Sequence, residues 1–319
     1  MDRLSVRVAE ILRETESVKA FVLESATGDM LPPFAAGAHI DVRVVLASGQ
    51  TAWRSYSLAS DPAERGHYEI GVLRTRDSGG SAYLHDRISI GDTLEISAPS
   101  SRFPLAENAA EHVLIAGGIG ITPLLSMARA LARRAERFEL WYLARSADAM
   151  SFVGAVDRLQ GGRIMKHFTH NEPGGRLDLS RPLGRPAPGK HIYVCGPGSL
   201  LDDALRVARE SGYTQQTVHF ELFNATPATD ETSFEVELER SSVRFTVGQG
   251  ETILEEAHKR GIFPSSDCVR GECGACLTRV LEGDPLHRDV YLTDAEKAAN
   301  EFMMICVSRS RSARLVLEL

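Results

Sequence analysis

The cysteines are the residues best equipped for chemistry. The chain of 319 residues carries five, and four of them lie in its last 52 residues. Cys268, Cys273 and Cys276 form a C-x4-C-x2-C run, with Gly271 and Gly274 inside it, and Cys306 follows much later. Four thiolates must reach two irons in a plant-type [2Fe–2S] centre, and three close ligands with one distant ligand is its spacing. The glycines let such a loop fold tightly and turn N–H groups toward the sulfurs. The alternative is zinc, which usually takes paired short knuckles. Here the fourth cysteine stands alone, on an apparent strand, and no His pair lies beside it. Cys195 belongs to another region.

A second group of residues is suited to phosphate and to flat aromatic ligands. Gly117, Gly118 and Gly120, followed by Thr122 and Pro123, lie between an apolar run and a helical pattern. Glycines let backbone approach a pyrophosphate, and Pro at a helix start gives up no useful hydrogen bond. Gly79 and Gly80, between Ser78 and Ser81, open another short helix whose first N–H groups would face an anion. Arg54 offers a planar cation, Tyr56 an aromatic face and Ser57 a hydroxyl. On a strand Arg54 and Tyr56 share one face, and Ser57 points to the other.

These residues must be positioned by three kinds of structure. Alternating segments at Ser5–Ile11, Val18–Leu23, His39–Val45, Thr51–Leu58, His67–Arg74 and Thr93–Ser97, punctuated by Gly, Pro and Asp, predict an antiparallel barrel with a short helix near Ser81. From His112 the rhythm becomes βα. Apolar runs at His112–Ala116, Phe138–Ala144, Ile164–Thr169, His191–Cys195 and Val218–Phe220 alternate with helical stretches Leu124–Arg134, Ala149–Leu159 and Leu200–Glu210, which predicts a parallel sheet covered on both faces. The polar segment 224–230 is aperiodic and reads as a linker. After it, Phe234–Glu239 and Val243–Val247 predict a hairpin, and Thr252–Arg260 a helix capped at Gly261. The domains expected are 1–106 (barrel), 107–224 (α/β), a linker 225–233, and 234–319, which carries the four clustered cysteines.

Composition narrows the function classes. The formal net charge is −7, which argues against a nucleic-acid partner. From Asp230 onward there are 17 acidic and 11 basic residues, leaving 26 and 25 of the totals of 43 and 36 for everything before it. The excess negative charge thus sits at the end of the chain, either as a solubilising surface or as a docking face for a basic partner. No apolar run approaches the length of a membrane span, and the first residues lack a signal-peptide core. A cytoplasmic protein without a membrane partner is expected.

With these motifs in order, the whole chain resembles the phthalate dioxygenase reductase family, which joins a ferredoxin–NADP reductase-like pair of domains to a C-terminal plant-type ferredoxin. The fold class implied is multidomain: antiparallel β-barrel, α/β parallel sheet and α+β β-grasp. Arg54, Tyr56 and Ser57 match the family's R-x-Y-S flavin element, which Gly71, Leu73, Arg74, Ser78, Gly79, Gly80 and Ser81 extend. Gly117, Gly118, Gly120, Thr122 and Pro123 match its G-G-x-G-x-T-P nucleotide turn. Cys195, Gly196 and Pro197 match C-G-P, with Cys195 against the nicotinamide. Arg145 and Ser146 fall at the turn for the adenosine ribose, where an arginine is also compatible with NADPH. Glu221 and Phe223 lie in the F-E-x-F segment, near the reacting atoms and over the flavin. The catalytic set expected is Ser57, Thr122, Cys195, Glu221 and Phe223.

The cofactors implied are FMN, preferred to FAD on family habit alone, and a [2Fe–2S] cluster on Cys268, Cys273, Cys276 and Cys306, with NADH as cosubstrate. The activity implied is an NADH-dependent electron-transfer reductase serving a Rieske-type non-haem iron oxygenase. Alternatives are a reductase for a haem monooxygenase, a redox-sensing regulator and a zinc-stabilised flavoprotein.

Overall fold

The structure is a computed structural model that describes residues 3–75, 79–170, 175–214, 216–222, 232–249, 251–266, 271 and 274–319. The chain divides into two compact units, Met1–Phe223 and Asn224–Leu319.

In the first unit, strands β1 (Arg3–Arg13), β2 (Val18–Ser25), β3 (Ala38–Val45), β4 (Thr51–Ser57) and β5 (His67–Leu73) are followed by α1 (Gly80–Arg87), β6 (Thr93–Ser97) and the short β7 (Ser100–Ser101). The sheet runs β4-β3-β6-β1-β2-β5 and is antiparallel throughout. Its two ends meet at a bridge between Leu58 and Ile70. Alternation drives the closure: Val6, Val8, Phe21, Leu23, Ile40, Val42 and Ile96 point into one dry core,.

The same unit continues with β8 (Glu111–Gly117), α2 (Ile121–Arg133), β9 (Phe138–Ala144), α3 (Val153–Asp157), β10 (Arg163–Phe168), α4 (Ser180–Leu183), β11 (Lys190–Gly196), α5 (Gly198–Glu210) and β12 (Val218–Leu222). The sheet is parallel, in the order β10-β9-β8-β11-β12. The order reverses between β8 and β11, so the crevice at their carboxyl ends is where an open α/β sheet binds ligands. The helix expected over Ala149–Leu159 is confined to Val153–Asp157, because Phe152 adopts a left-handed φ of 55° just before it. Phe152 is fully buried there, so its packing overrides the local helical pattern,.

Helix α2 is clamped to the barrel. Arg129 donates to the Ala59 carbonyl and to Glu69, both at 2.6 Å, and Arg133 makes two hydrogen bonds to Asp61 at 2.9 and 2.7 Å. The Phe152 N–H donates to Glu14 at 2.6 Å.

In the second unit, β13 (Phe234–Leu238) and β14 (Val243–Val247) form the expected hairpin, and α6 (Ile253–Lys259) begins at a Thr252/Glu255 capping box,. Then come β15 (Leu277–Glu282), β16 (Pro285–Leu286), α7 (Asp294–Ala299), β17 (Phe302–Met304), β18 (Arg309–Ser310) and β19 (Arg314–Leu317). The mixed sheet β14-β13-β19-β15-β17, with α6 packed on β14, is the β-grasp arrangement. Cys306 lies in the turn after β17 and not on a strand.

At the amino end of the parallel sheet, neighbouring strands stack His112, Tyr193, His219 and His191. Ring centroids are 5.7 Å apart for His112–Tyr193, 4.8 Å for Tyr193–His219 and 5.2 Å for His191–His219. Burial pushes His219 from 6.5 down to about 4, and it lowers His112 and His191 as well. The unfolded chain therefore binds these protons more readily than the folded one, and stability is lost as pH falls from about 6.5 towards 4. The melting temperature of the whole chain is expected to drop across that window. In His219→Phe the drop should be shallower, as followed by thermal unfolding at a series of pH values. An identical slope in the variant would contradict the assignment.

Candidate functional site

The carboxyl edge of the parallel sheet gathers the glycine turn and the residues of β11 and β12. Strand β8 ends at Gly117, Gly118 and Gly120 form a 3-10 turn, and α2 starts at Ile121, with Pro123 in its first turn. Gly120 is the N-cap of α2 and has no side chain to occupy the first-turn N–H groups,. A Cβ on it would lie 2.2 Å from the Cys195 carbonyl oxygen, so this turn can pack against β11 only as glycine. A Cβ on Gly118 would meet nothing within 4 Å, so the turn is open on that side. Thr122 is buried and its hydroxyl donates to the Ile119 carbonyl at 3.1 Å.

Cys195 is buried at the end of β11, paired with Ala116 on one side and Glu221 on the other. Gly196 closes the strand and the exposed Pro197 is the N-cap of α5. Arg145 is exposed and Ser146 half-buried, directly after β9. They stand at the same edge of the sheet, two strands from β11.

On the barrel side, Arg54 and Tyr56 lie on β4 opposite Val42 and Ile40. Arg54 donates to the Trp53 carbonyl at 3.0 Å, and its stem passes over Gly80. Burial pushes the Tyr56 phenol up to about 12 against the opposing pull of Arg54, so the hydroxyl is a neutral donor at ordinary pH. Gly79 is the N-cap of α1, again without a side chain to cover the helix start. Ser81 is engaged with Thr75, at 3.2 Å from its N–H and 2.9 Å from its hydroxyl. The Arg74 guanidinium is committed to Asp86 through contacts of 3.3 and 2.7 Å, while Leu73 ends β5 half-buried. Ser78 lies outside the described residues, as does Phe223.

Two further contacts join barrel and sheet at this edge. The Ser57 hydroxyl donates to Glu221 Oε2 at 3.1 Å, with Ser57 3 % and Glu221 2 % exposed. Ser57 thus lies on the face of β4 opposite to Arg54 and Tyr56, as the strand period requires, and it is the buried end of the otherwise exposed row Thr51, Trp53 and Ser55,. Gly71 sits against Thr122, where a Cβ would fall 2.7 Å from Thr122 Cγ2 and 2.8 Å from the Phe152 ring. Ser57 meets Glu221, Glu221 pairs with Cys195 on the adjoining strand, the Cys195 carbonyl faces Gly120, and Gly71 packs on Thr122 two residues later, so these residues form one buried junction. Phe152 belongs to this junction too, although its sequence reads only as a helical apolar residue. Only the structure marks it, by a left-handed φ of 55°. His39, buried on β3 and paired with Ser57 on the adjoining strand β4, carries no signal in the sequence.

In the second unit the Cys276 and Cys306 sulfurs lie 3.1 Å apart and both side chains are buried. The hydrogen bond between them brings the Cys276 thiol down to about 7, towards the thiolate a metal requires,. Gly271 and Gly274 hold φ of 77° and 79°, so the loop bends where the ligand spacing needs it,. Cys268 and Cys273 lie outside the described residues. The donor chemistry fits a thiolate-bound iron–sulfur centre. The glycine-capped helix starts likewise fit a flavin phosphate and a nucleotide.

Three family models match in succession: an oxidoreductase FAD-binding domain over residues 5–104, a dimethylamine monooxygenase subunit DmmA-like N-terminal domain over 98–218, and a 2Fe-2S iron-sulfur cluster binding domain over 236–311. A vanillate O-demethylase oxidoreductase from Pseudomonas sp. is 41 % identical over 298 residues, 92 % of this chain and 93 % of the relative. A solved phthalate dioxygenase reductase, described as a modular structure for electron transfer from pyridine nucleotides to [2Fe–2S], is 37 % identical with a TM-score of 0.77, covering 99 % of this chain and 98 % of that one. A solved type IV self-sufficient cytochrome P450 monooxygenase matches 99 % of this chain with 41 % of its own, at 33 % identity and a TM-score of 0.66. No helix among the described residues is long and apolar enough to cross a membrane. Barrel, parallel sheet and iron–sulfur domain, in this order and at this identity, make the chain a flavin- and [2Fe–2S]-dependent oxidoreductase belonging to the phthalate dioxygenase reductase family.

Proposed function

We propose that the chain is the NADH-dependent reductase component of an oxygenase system, using FMN and a [2Fe–2S] cluster to serve a Rieske-type non-haem iron oxygenase. The observation that carries this reading is the buried Ser57–Glu221 hydrogen bond, because it joins the barrel to the carboxyl edge of the sheet. Family habit supports FMN over the FAD of the matched model's description. The names of the relatives support an oxygenase partner. The similarity to the self-sufficient P450 supports a second reading, in which the acceptor is a haem monooxygenase. The domain boundaries proposed are 1–106, 107–224 and 234–319, around a linker at 225–233.

When bound, nicotinamide, flavin and cluster supply the hydride and single-electron chemistry. The chain supplies binding and orientation. Arg54 and the α1 start at Gly79, Gly80 and Ser81 are assigned to the flavin phosphate, and Tyr56 to its ring. Gly71, Leu73 and Arg74 frame the same site. The Ser57 hydroxyl, held by Glu221, is assigned to the flavin N5, and Phe223 to the ring face. Gly117, Gly118, Gly120 and Pro123 are assigned to the nucleotide's pyrophosphate, Thr122 to the place where nicotinamide and flavin meet, Arg145 and Ser146 to the ribose, and Cys195, Gly196 and Pro197 to the nicotinamide. Cys268, Cys273, Cys276 and Cys306 are assigned to the iron.

Ser57→Ala removes the hydroxyl and Glu221→Gln weakens the acceptor that orients it; a misplacement near 1 Å costs on the order of 10²-fold in rate. Ser57→Ala and Glu221→Gln are each expected to lower kcat for NADH-driven ferricyanide reduction by about that factor, with bound flavin per chain unchanged. Steady-state assays beside flavin absorbance check this, and unaltered kcat in both variants would remove the pair from the reacting centre.

The donor and flavin assignments have their own test. Mass spectrometry of the flavin released from purified chain is expected to find FMN, and kcat/KM is expected to be higher with NADH than with NADPH. Release of FAD, or a preference for NADPH, would overturn the corresponding assignment.

A further inference from the structure

One buried carboxyl group in the second unit is used by none of the steps above. Asp289 lies between β16 and α7, and its side chain is entirely withdrawn from solvent. Its Oδ1 accepts from the Ser308 hydroxyl at 3.3 Å and its Oδ2 from the Leu292 N–H at 2.8 Å. The Lys297 ammonium, on α7, donates to the Asp289 carbonyl at 2.5 Å and stands 4.0 Å from Oδ2. His287 Nδ1 is 3.7 Å from Oδ1. Both oxygens act as acceptors and a cation stands beside them, which is the setting of a carboxylate anion.

The position of this group gives it a consequence for the cluster. Gly271 belongs to the loop between Cys268 and Cys273, and a Cβ on it would come within 3.0 Å of the Asp289 Cα and Cβ. The Val290 N–H donates to the Gly271 carbonyl at 3.2 Å. Ser308, two residues after Cys306, donates to the carboxylate and accepts from the Arg288 N–H at 3.2 Å. Asp289 therefore packs against Gly271 while the next N–H, of Val290, holds the Gly271 carbonyl, and the Asp289 side chain braces the turn that follows Cys306.

We propose that Asp289 is a positioning residue for the [2Fe–2S] centre that also places a fixed negative charge behind it, holding the cluster's reduction potential down. Reduction adds an electron, and a nearby anion in a low-dielectric setting opposes that addition more than one in water does. The inference rests on the assignment of the four cysteines as ligands.

Asp289→Asn tests it in the full chain. Asparagine keeps the shape and an acceptor oxygen for the Leu292 N–H while removing the charge. Iron and sulfide content, with the electron paramagnetic resonance spectrum of the reduced protein, reports whether the cluster is present. A redox titration then reads its potential. The expected result is full cluster content with the reduction equilibrium shifted at least tenfold towards the reduced form, about 59 mV for one electron. The shift should persist in high salt, since a buried charge is poorly screened. Full cluster content with an unchanged potential would overturn the proposal. If Asp289→Asn fails to hold a cluster, Lys297→Gln decides instead: with the counter-charge removed the potential should fall, and an unchanged value would overturn the proposal equally. Wild-type chain lacking iron and sulfide would sink the ligand assignment itself, a result distinguishable from either.

Discussion

The hydrogen bond between Ser57 and Glu221 is the constraint around which the first unit is arranged. The two residues are separated by 164 positions in the chain and each sits at the end of a strand, one in an antiparallel sheet and one in a parallel sheet. A carboxyl group withdrawn from water costs several kcal/mol unless donors meet it. A hydrogen bond to a charged group contributes about 1.5–3 kcal/mol. Such a bond forms only if the end of β4 and the end of β12 arrive together. The clamps from Arg129 and Arg133 to Glu69 and Asp61 hold α2 on the barrel, and Gly71 lets β5 close on Thr122. Each of these contacts crosses between barrel and sheet, so the junction is specified from several directions.

The parts of this arrangement legible in the sequence are those whose physics is local. Gly120 could be singled out as part of a glycine turn open to a pyrophosphate, and the structure adds that it packs on β11, where a Cβ would fall 2.2 Å from a carbonyl oxygen. The helix expected over Thr252–Arg260 and the hairpin of Phe234–Glu239 and Val243–Val247 follow patterns that span a few residues. The cysteine spacing is legible for the same reason: a loop that must place three sulfurs within reach of one centre has little freedom in length. Alternation along β1 to β6 was enough to foresee the barrel, since one dry face repeats every second residue,.

What escaped the sequence depends on contacts between distant segments. No local pattern pairs Ser57 with Glu221, although both could be singled out as candidates. Phe152 looks helical, yet burial against Gly71 holds it at φ 55° and shortens the helix. Strands β15 to β19 are short, several of two to four residues, and draw their stability from pairing in the mixed sheet rather than from a visible period. Cys306 falls in a turn beside Cys276 for that reason. Asp289 was invisible as anything but a loop residue, because its importance comes from Gly271 and Ser308, neither of them near it in sequence.

If the meeting of barrel and parallel sheet assembles the site for hydride chemistry, that site is complete within the first unit, while the cysteine-bearing unit folds on its own core. A fragment ending at Ala225, purified with its flavin, tests this directly by turnover of NADH with ferricyanide. The account predicts that the fragment retains flavin and reduces ferricyanide at a rate close to that of the whole chain. A fragment that binds flavin normally but leaves NADH unoxidised would contradict it.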